Sequence, residues 1–419
     1  MLLFYLFLYV FSLTLPVFYH SAFFVGFVCL IHLLVTAEKI SFKITKYQFN
    51  YLLFFIFGYV LIFSIIVSHE TYDFTFFKTY SNSFLSAMCG MPLAYLYNKK
   101  YNSGAVRVLL KDLFYVFLIQ STIILLVMFF PVIKPMVVLF QRDPDYAAQL
   151  DVFSNGLRTN ALSGGLFYGL SLSFGFALLG FIYASLYLKM RFTIIHCVSF
   201  IIVNIGLVCS GRFGFIYVIC CLPMFYGLTL KRKINVFVVI CFAASLSLVF
   251  VLLLYFFSDA IRSVVEQKIS PYLFEFVKSY ADTGQLQTSS TNQLMDMYDV
   301  NINFATALYG DGIYTGSDGM YYQHSDVGYI RLLLLGGIPL LCFFIIFQIY
   351  SLYPMRKLCG NNNGYLYHSV LLFFLLAQFK GEAMITSVGL NNMVFLLCSL
   401  ISLAKRNYDE SQDTALKLS

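Results

Sequence analysis

Four places in the sequence set ionisable side chains beside apolar runs. The richest is His324-Ser325-Asp326-Val327-Gly328-Tyr329-Ile330-Arg331, which runs straight into Leu332-Leu333-Leu334-Leu335-Gly336-Gly337-Ile338. The others are Arg158 in Asn155-Gly156-Leu157-Arg158-Thr159-Asn160, Arg212 in Ser210-Gly211-Arg212-Phe213-Gly214, and the pair Lys380-Gly381-Glu382. Ionisable groups are expensive to hold at a membrane edge, so they mark function by default. Guanidinium groups stay charged and match phosphate oxygens two at a time. An imidazole titrates near neutrality and can take a proton from an attacking hydroxyl. Arginines grouped with one histidine therefore suit a phosphate-bearing substrate. The cations would stabilise a departing pyrophosphate, and His324 would serve as the base.

Each residue also has a plainer reading. Arg212 can snorkel and help turn a helical hairpin. Arg331 and Asp326 can form a local salt bridge, which is weak where exposed. Lys380 and Glu382 can be an interfacial ion pair, and Arg158 an ordinary loop arginine. Asp143-Pro144-Asp145 has the spacing of a magnesium-binding acid pair, although two acids around a loop proline are common. No zinc helix motif, Walker loop or dinucleotide fingerprint occurs. Neither a metal nor a cofactor is expected, and no nucleic-acid partner.

These residues need a scaffold, and composition dictates its class. Of 419 residues, 60% are hydrophobic and 11% charged, and mean hydropathy is +0.80. Soluble domains are about 25% charged, so an all-α polytopic membrane protein follows. A spanning helix needs about 20 apolar residues. Twelve segments qualify: roughly 2–17, 20–36, 50–68, 81–97, 109–130, 164–188, 193–210, 213–229, 235–257, 327–351, 365–380 and 388–404. The first segment lacks a basic leader and a small-residue cleavage site, so it reads as a retained helix. The ten cysteines lie in or beside apolar segments, which argues against a disulfide framework. With no Trp and 32 Tyr, tyrosine must supply the interfacial aromatic belt.

Charge sets the sidedness. With both termini in the cytoplasm, 17 of the 27 Lys and Arg fall inside and 15 of the 20 acids outside, as the positive-inside rule requires. Residues 1–404 then form one transmembrane domain, and 405–419 a cytoplasmic tail whose polar end, from Asn407, is expected to be disordered. Two outer loops are long, at about 131–164 and 258–326. In the second, Ile261, Val264, Val265, Ile269, Leu273, Phe274 and Val277 have the spacing of an amphipathic helix capping a cavity. Gly310-Asp311-Gly312 and Gly316-Ser317-Asp318-Gly319 read as turns.

The order of these features resembles the O-antigen polymerases (Wzy type) and, more distantly, the O-antigen ligases. The resemblance rests on the twelve-span pattern, Gly156-Leu157-Arg158-Thr159-Asn160, Ser210-Gly211-Arg212, His324 to Arg331 before Gly336-Gly337-Ile338, and Phe379-Lys380-Gly381-Glu382. It implies a metal-independent glycosyltransferase of the integral-membrane C type in the bacterial inner membrane. Donor and acceptor would be undecaprenyl-pyrophosphate-linked oligosaccharides, joined at the periplasmic face. A chain-length regulator would be a partner. His324 would be the base. Arg158, Arg212, Arg331, Asp326, Tyr329, Lys380 and Glu382 would bind substrate and pyrophosphate. A ligase acting on lipid A core, or a flippase for the same lipid-linked sugars, remains an alternative. A flippase would keep its charges in a midplane cavity between related halves, whereas here they gather at the outer face.

Overall fold

The computed structural model describes residues 1–15, 18–36, 44–141, 161–165, 167–190, 193–226, 228, 279–281, 289–358 and 364–418. Arg158, Asp143-Pro144-Asp145, the expected 235–257 span and nearly all of the expected amphipathic 259–280 segment lie outside them. Among the described residues the chain is helical, and its only strand-like pairing is an isolated bridge between Thr315 and Tyr321. Among the described residues four stretches are long and apolar enough to cross a membrane: Lys46–Ser68, Thr75–Phe129, Phe167–Tyr187 and Gly328–Arg356. Shorter apolar helices accompany them at Leu2–Phe11, Ser21–Thr36, Ile194–Ser210, Arg212–Tyr226, Tyr365–Gln378 and Val388–Ala404. This is the make-up of a membrane-embedded helical protein.

Phe167–Tyr187 is the axis. Its most apolar stretch is 83% buried, against 22% for Lys46–Ser68, which turns most of its surface outward. Aromatic rings pack against the axis: Phe114 stacks on Phe181 at 3.9 Å, and Phe117 meets Phe174 edge-on at 4.7 Å. Such pairs contribute about 0.5–1.5 kcal/mol beyond their buried area. A polar knot ties the first, fourth and last helices together. Asn392 donates to the Tyr9 carbonyl at 2.9 Å and to Ser86 Oγ at 3.0 Å, and the Tyr9 hydroxyl donates to the Ala87 carbonyl at 2.8 Å.

The helix ends depart from the sequence expectation for identifiable reasons. The expected 81–97 span is split into Thr75–Met88 and Gly90–Tyr101. Pro92 has no N–H to give the Met88 carbonyl. The expected 213–229 span opens as a 3-10 turn at Arg212–Phe215, continued by Ile216–Cys220 and Leu222–Tyr226; Pro223 likewise cannot bond Ile219. The tail expected to be disordered instead continues the last helix from Val388 to Leu418. Its residues from Lys405 onward contain neither glycine nor proline and are mostly good helix formers.

The break that matters most lies inside Gly328–Leu352. Gly336 and Gly337 leave helical geometry, with Gly337 at φ 64°, ψ −164°, and Pro339 comes two residues later. The ladder is therefore open, and the carbonyls of Leu334 and Leu335 are free to accept from elsewhere. The backbone N–H groups of Asp311 and Gly312 fill them, at 2.6 and 3.1 Å. A Cβ at Gly337 would come within 2.5 Å of the Leu308 carbonyl. Only glycine permits both this dihedral pair and this approach. The broken helix thus docks residues 308–312 and fixes the start of the segment beyond Gly312.

Candidate functional site

Beyond Gly312 the chain forms a small hairpin. The Gly316 N–H donates to the Met320 carbonyl at 2.8 Å and the Tyr322 N–H to the Tyr314 carbonyl at 3.2 Å, with the expected Gly316–Gly319 turn at the tip. The turn after Ser68 clasps its base. Thr71 Oγ1 donates to the Gly312 carbonyl at 2.7 Å. Asp73 Oδ2 accepts from the N–H groups of Tyr314 and Thr315 at 2.8 and 2.7 Å. Burial alone would raise the Asp73 carboxyl, but hydrogen bonds from Thr75, Thr315 and Tyr314 outweigh it and hold the group below its ordinary value.

The hairpin brings two rings to Arg331, one turn into its helix. The guanidinium carbon lies 3.9 Å from the Tyr314 ring centroid and 3.7 Å from that of Tyr321. Cations over aromatic faces gain about 2 kcal/mol when desolvated. Arg331 Nη1 is 3.3 Å from Glu382 Oε2 and 3.7 Å from Asp326 Oδ1. The Arg331 side chain is 3% exposed and that of Glu382 1%. The Tyr314 hydroxyl donates to the same Glu382 oxygen at 2.6 Å. Burial pushes the Glu382 carboxyl up, against the pull of Arg331 and Tyr314. Arg331 Nε and Nη2 have no acceptor among the described residues. Buried donors without partners are costly, and Arg331 lies in the lining of a cavity.

That cavity holds about 700 Å³ and opens among the ends of several helices. Arg212, Arg331 and Lys380 line it, and so do Asp326, Glu382 and His20. Arg212 arrives on its 3-10 turn, which packs on the axial helix. A Cβ at Gly214 would meet the Ser171 carbonyl oxygen at 2.2 Å, so this close approach requires glycine. Lys380 and Glu382 sit on a tight turn held by Gln378 Oε1, which accepts from the N–H groups of Ala383 at 2.9 Å and Met384 at 3.3 Å. The Tyr168 hydroxyl donates to the carbonyls of Ala377 and Gly381.

The carboxylate of Asp326 reaches into the cavity, and 42% of its side chain is accessible. Desolvation raises its carboxyl to about 6; Arg331 and Lys380 pull it down, and Glu382 pushes it up. His324 behaves differently. Its side chain is 76% exposed, faces Asp318 Oδ2 at 3.7 Å and is not part of the cavity lining. Left-handed backbone at Gln323 and His324, with φ of 52° and 55°, directs it there. Tyr329 also lies outside the lining. Its hydroxyl donates to the Leu375 carbonyl at 2.9 Å and its ring meets Phe379 edge-on at 5.0 Å, so it joins two helices.

The structure thus brings Arg212, Asp326, Arg331, Lys380 and Glu382 together and leaves His324 and Tyr329 outside the lining. Glu382 pairs with Arg331, not with its neighbour Lys380. The sequence reading missed Tyr314, Tyr321 and His20. Of these, His20 had the readable signal of an imidazole between two apolar segments, and its Nε2 lies 2.8 Å from Asn82 Nδ2. Among the described residues no group of three or more His, Cys, Asp or Glu could hold a metal ion. Against known proteins, the sequence matches no family model and no curated protein.

Proposed function

We propose that the chain is a metal-independent glycosyltransferase that polymerises undecaprenyl-pyrophosphate-linked oligosaccharides. It would work at the periplasmic face of the bacterial inner membrane, with both termini in the cytoplasm, as O-antigen polymerases do. The observation that carries the reading is the cavity at one end of the apolar helices. Three cations meet there, and one of them, Arg331, is buried with two unpartnered N–H donors. Buried donors of this kind fit the oxygens of a phosphate that arrives with its lipid in the membrane.

In this reaction the acceptor hydroxyl oxygen attacks the anomeric carbon of the donor sugar. The bond from that carbon to the pyrophosphate oxygen breaks, and undecaprenyl pyrophosphate leaves. Arg212, Lys380 and Arg331 meet its charge, with Arg158 as a further ligand from the outer loop. Asp326 takes the hydroxyl proton. It faces the cavity with a carboxyl near 6, close to the operating pH as a general base requires, whereas His324 stands outside the lining. Tyr314, Tyr321 and Glu382 hold Arg331 in place. A chain-length regulator remains a proposed partner.

The test is complementation of a strain lacking the protein. Arg212→Ala and Asp326→Asn should leave surface polysaccharide as single repeat units. Long polymer from both variants would refute the reading. Loss of every surface unit would point instead to a flippase or a ligase.

A further inference from the structure

A second and larger cavity, about 1380 Å³, opens at the opposite end of the same helices. The axial helix shows the separation. Phe167 and Tyr168 line the Arg331 cavity, while Tyr187, Leu188 and Lys189 line this one. Lys46, Arg107 and Lys189 bring three positive charges to its wall, and no carboxylate lines it among the described residues. They come from three separate elements: the start of Lys46–Ser68, the first turn of Ala105–Phe129, and the residue pair beyond Phe167–Tyr187. None of the three pairs with a carboxylate among the described residues.

Two further features shape the wall. Lys189 has φ 54° at a helix end, a left-handed conformation where glycine is ordinarily found. The polar part of the lining includes Asn50, whose Nδ2 donates to the Tyr350 hydroxyl at 2.6 Å, while Leu188, Leu358 and Ile401 make an apolar side. The result is a cationic mouth continuous with an apolar wall at the end of membrane helices. Basic pockets of this construction between transmembrane helices take anionic lipid headgroups.

We propose that this cavity binds an anionic phospholipid of the surrounding leaflet, its phosphate at Lys46, Arg107 and Lys189 and its acyl chain along the apolar side. The site is separate from the transfer reaction, and its occupancy is read without activity. The full-length protein is extracted in mild detergent and titrated with phosphatidylglycerol or phosphatidylcholine. Bound lipid is counted by native mass spectrometry. Each cation near an anionic headgroup contributes about fivefold in affinity, so the triple variant K46Q/R107Q/K189Q should retain phosphatidylglycerol about 100-fold less well. Retention of phosphatidylcholine should not change. If the triple variant does not fold, the single glutamine variants serve, each with a loss of about fivefold. Equal retention by variant and wild type would overturn the proposal. So would equal retention of both lipids by the wild type, or displacement of the lipid by an equal concentration of inorganic phosphate.

Discussion

Removing the carboxylate of Glu382 probes the centre of the site. In Glu382→Ala, Arg331 keeps a 3% exposed side chain but loses its nearest counter-charge at 3.3 Å, leaving Asp326 at 3.7 Å. The Tyr314 hydroxyl loses its acceptor at 2.6 Å. Breaking a buried pair from one side costs about 3–5 kcal/mol, because the remaining charge stays buried. For a chain of 419 residues that corresponds to a fall in Tm of roughly 3–6 °C. With no Trp to report unfolding, the assay uses a thiol-reactive dye on the buried cysteines, such as Cys29, Cys209 and Cys398. The double variant Glu382→Leu with Arg331→Met removes both charges and should recover most of the loss. An unchanged Tm in Glu382→Ala, or a double variant no more stable than the single, would refute this account of the pair.

Other outcomes test the scaffold. Gly337→Ala forces a side chain into φ 64°, ψ −164° and against the Leu308 carbonyl. The strain is about 1–3 kcal/mol, and hydrogen exchange at Asp311 and Gly312 should accelerate more than at the axial helix. Asn392→Ala strands its partners on Tyr9 and Ser86 and should lower stability by about 1–3 kcal/mol in the same thermal assay. The Asp73 carboxyl is held below its unfolded value, so its contribution is complete above that value and lost as pH falls through the folded one. Protection of residues 312–315 from hydrogen exchange, taken relative to the intrinsic rate at each pH, should therefore fall on acidification, and Asp73→Asn should show the lower protection at neutral pH. His324→Ala, a change at an exposed side chain, should leave polymer output within about twofold of wild type.

The cluster ending at Arg331 was legible because an ionisable group beside an apolar helix has few structural reasons to be there. The same argument found Arg212, Lys380 and Glu382, which line one cavity with Asp326 and Arg331. Partners were not legible. Glu382 is two residues from Lys380 in sequence, yet the turn held by Gln378 sends its carboxylate to Arg331. Tyr314 and Tyr321 carry no signal among 32 tyrosines; the hairpin that brings them to Arg331 depends on hydrogen bonds that its N–H groups donate to Asp73, far away in the chain. His324 lies outside that lining, its direction set by two left-handed residues that no side-chain pattern announces. The helices followed from hydropathy, but their breaks came from missing proline N–H groups and from the Gly336-Gly337 pair.

In the proposed function, Asp326 and Arg331 act on a lipid-linked pyrophosphate substrate in the 700 Å³ cavity. The direct measurement is polymerisation by purified protein in vesicles supplied with undecaprenyl-pyrophosphate-linked oligosaccharide, with product length read on gels across pH. A base must be ionised, so the rate should rise as pH increases through about 6, the value to which burial lifts Asp326. Asp326→Asn should lose about 10²–10⁴-fold in rate while still binding the substrate. Long polymer from Asp326→Asn, or a pH profile that its substitution does not alter, would contradict the account.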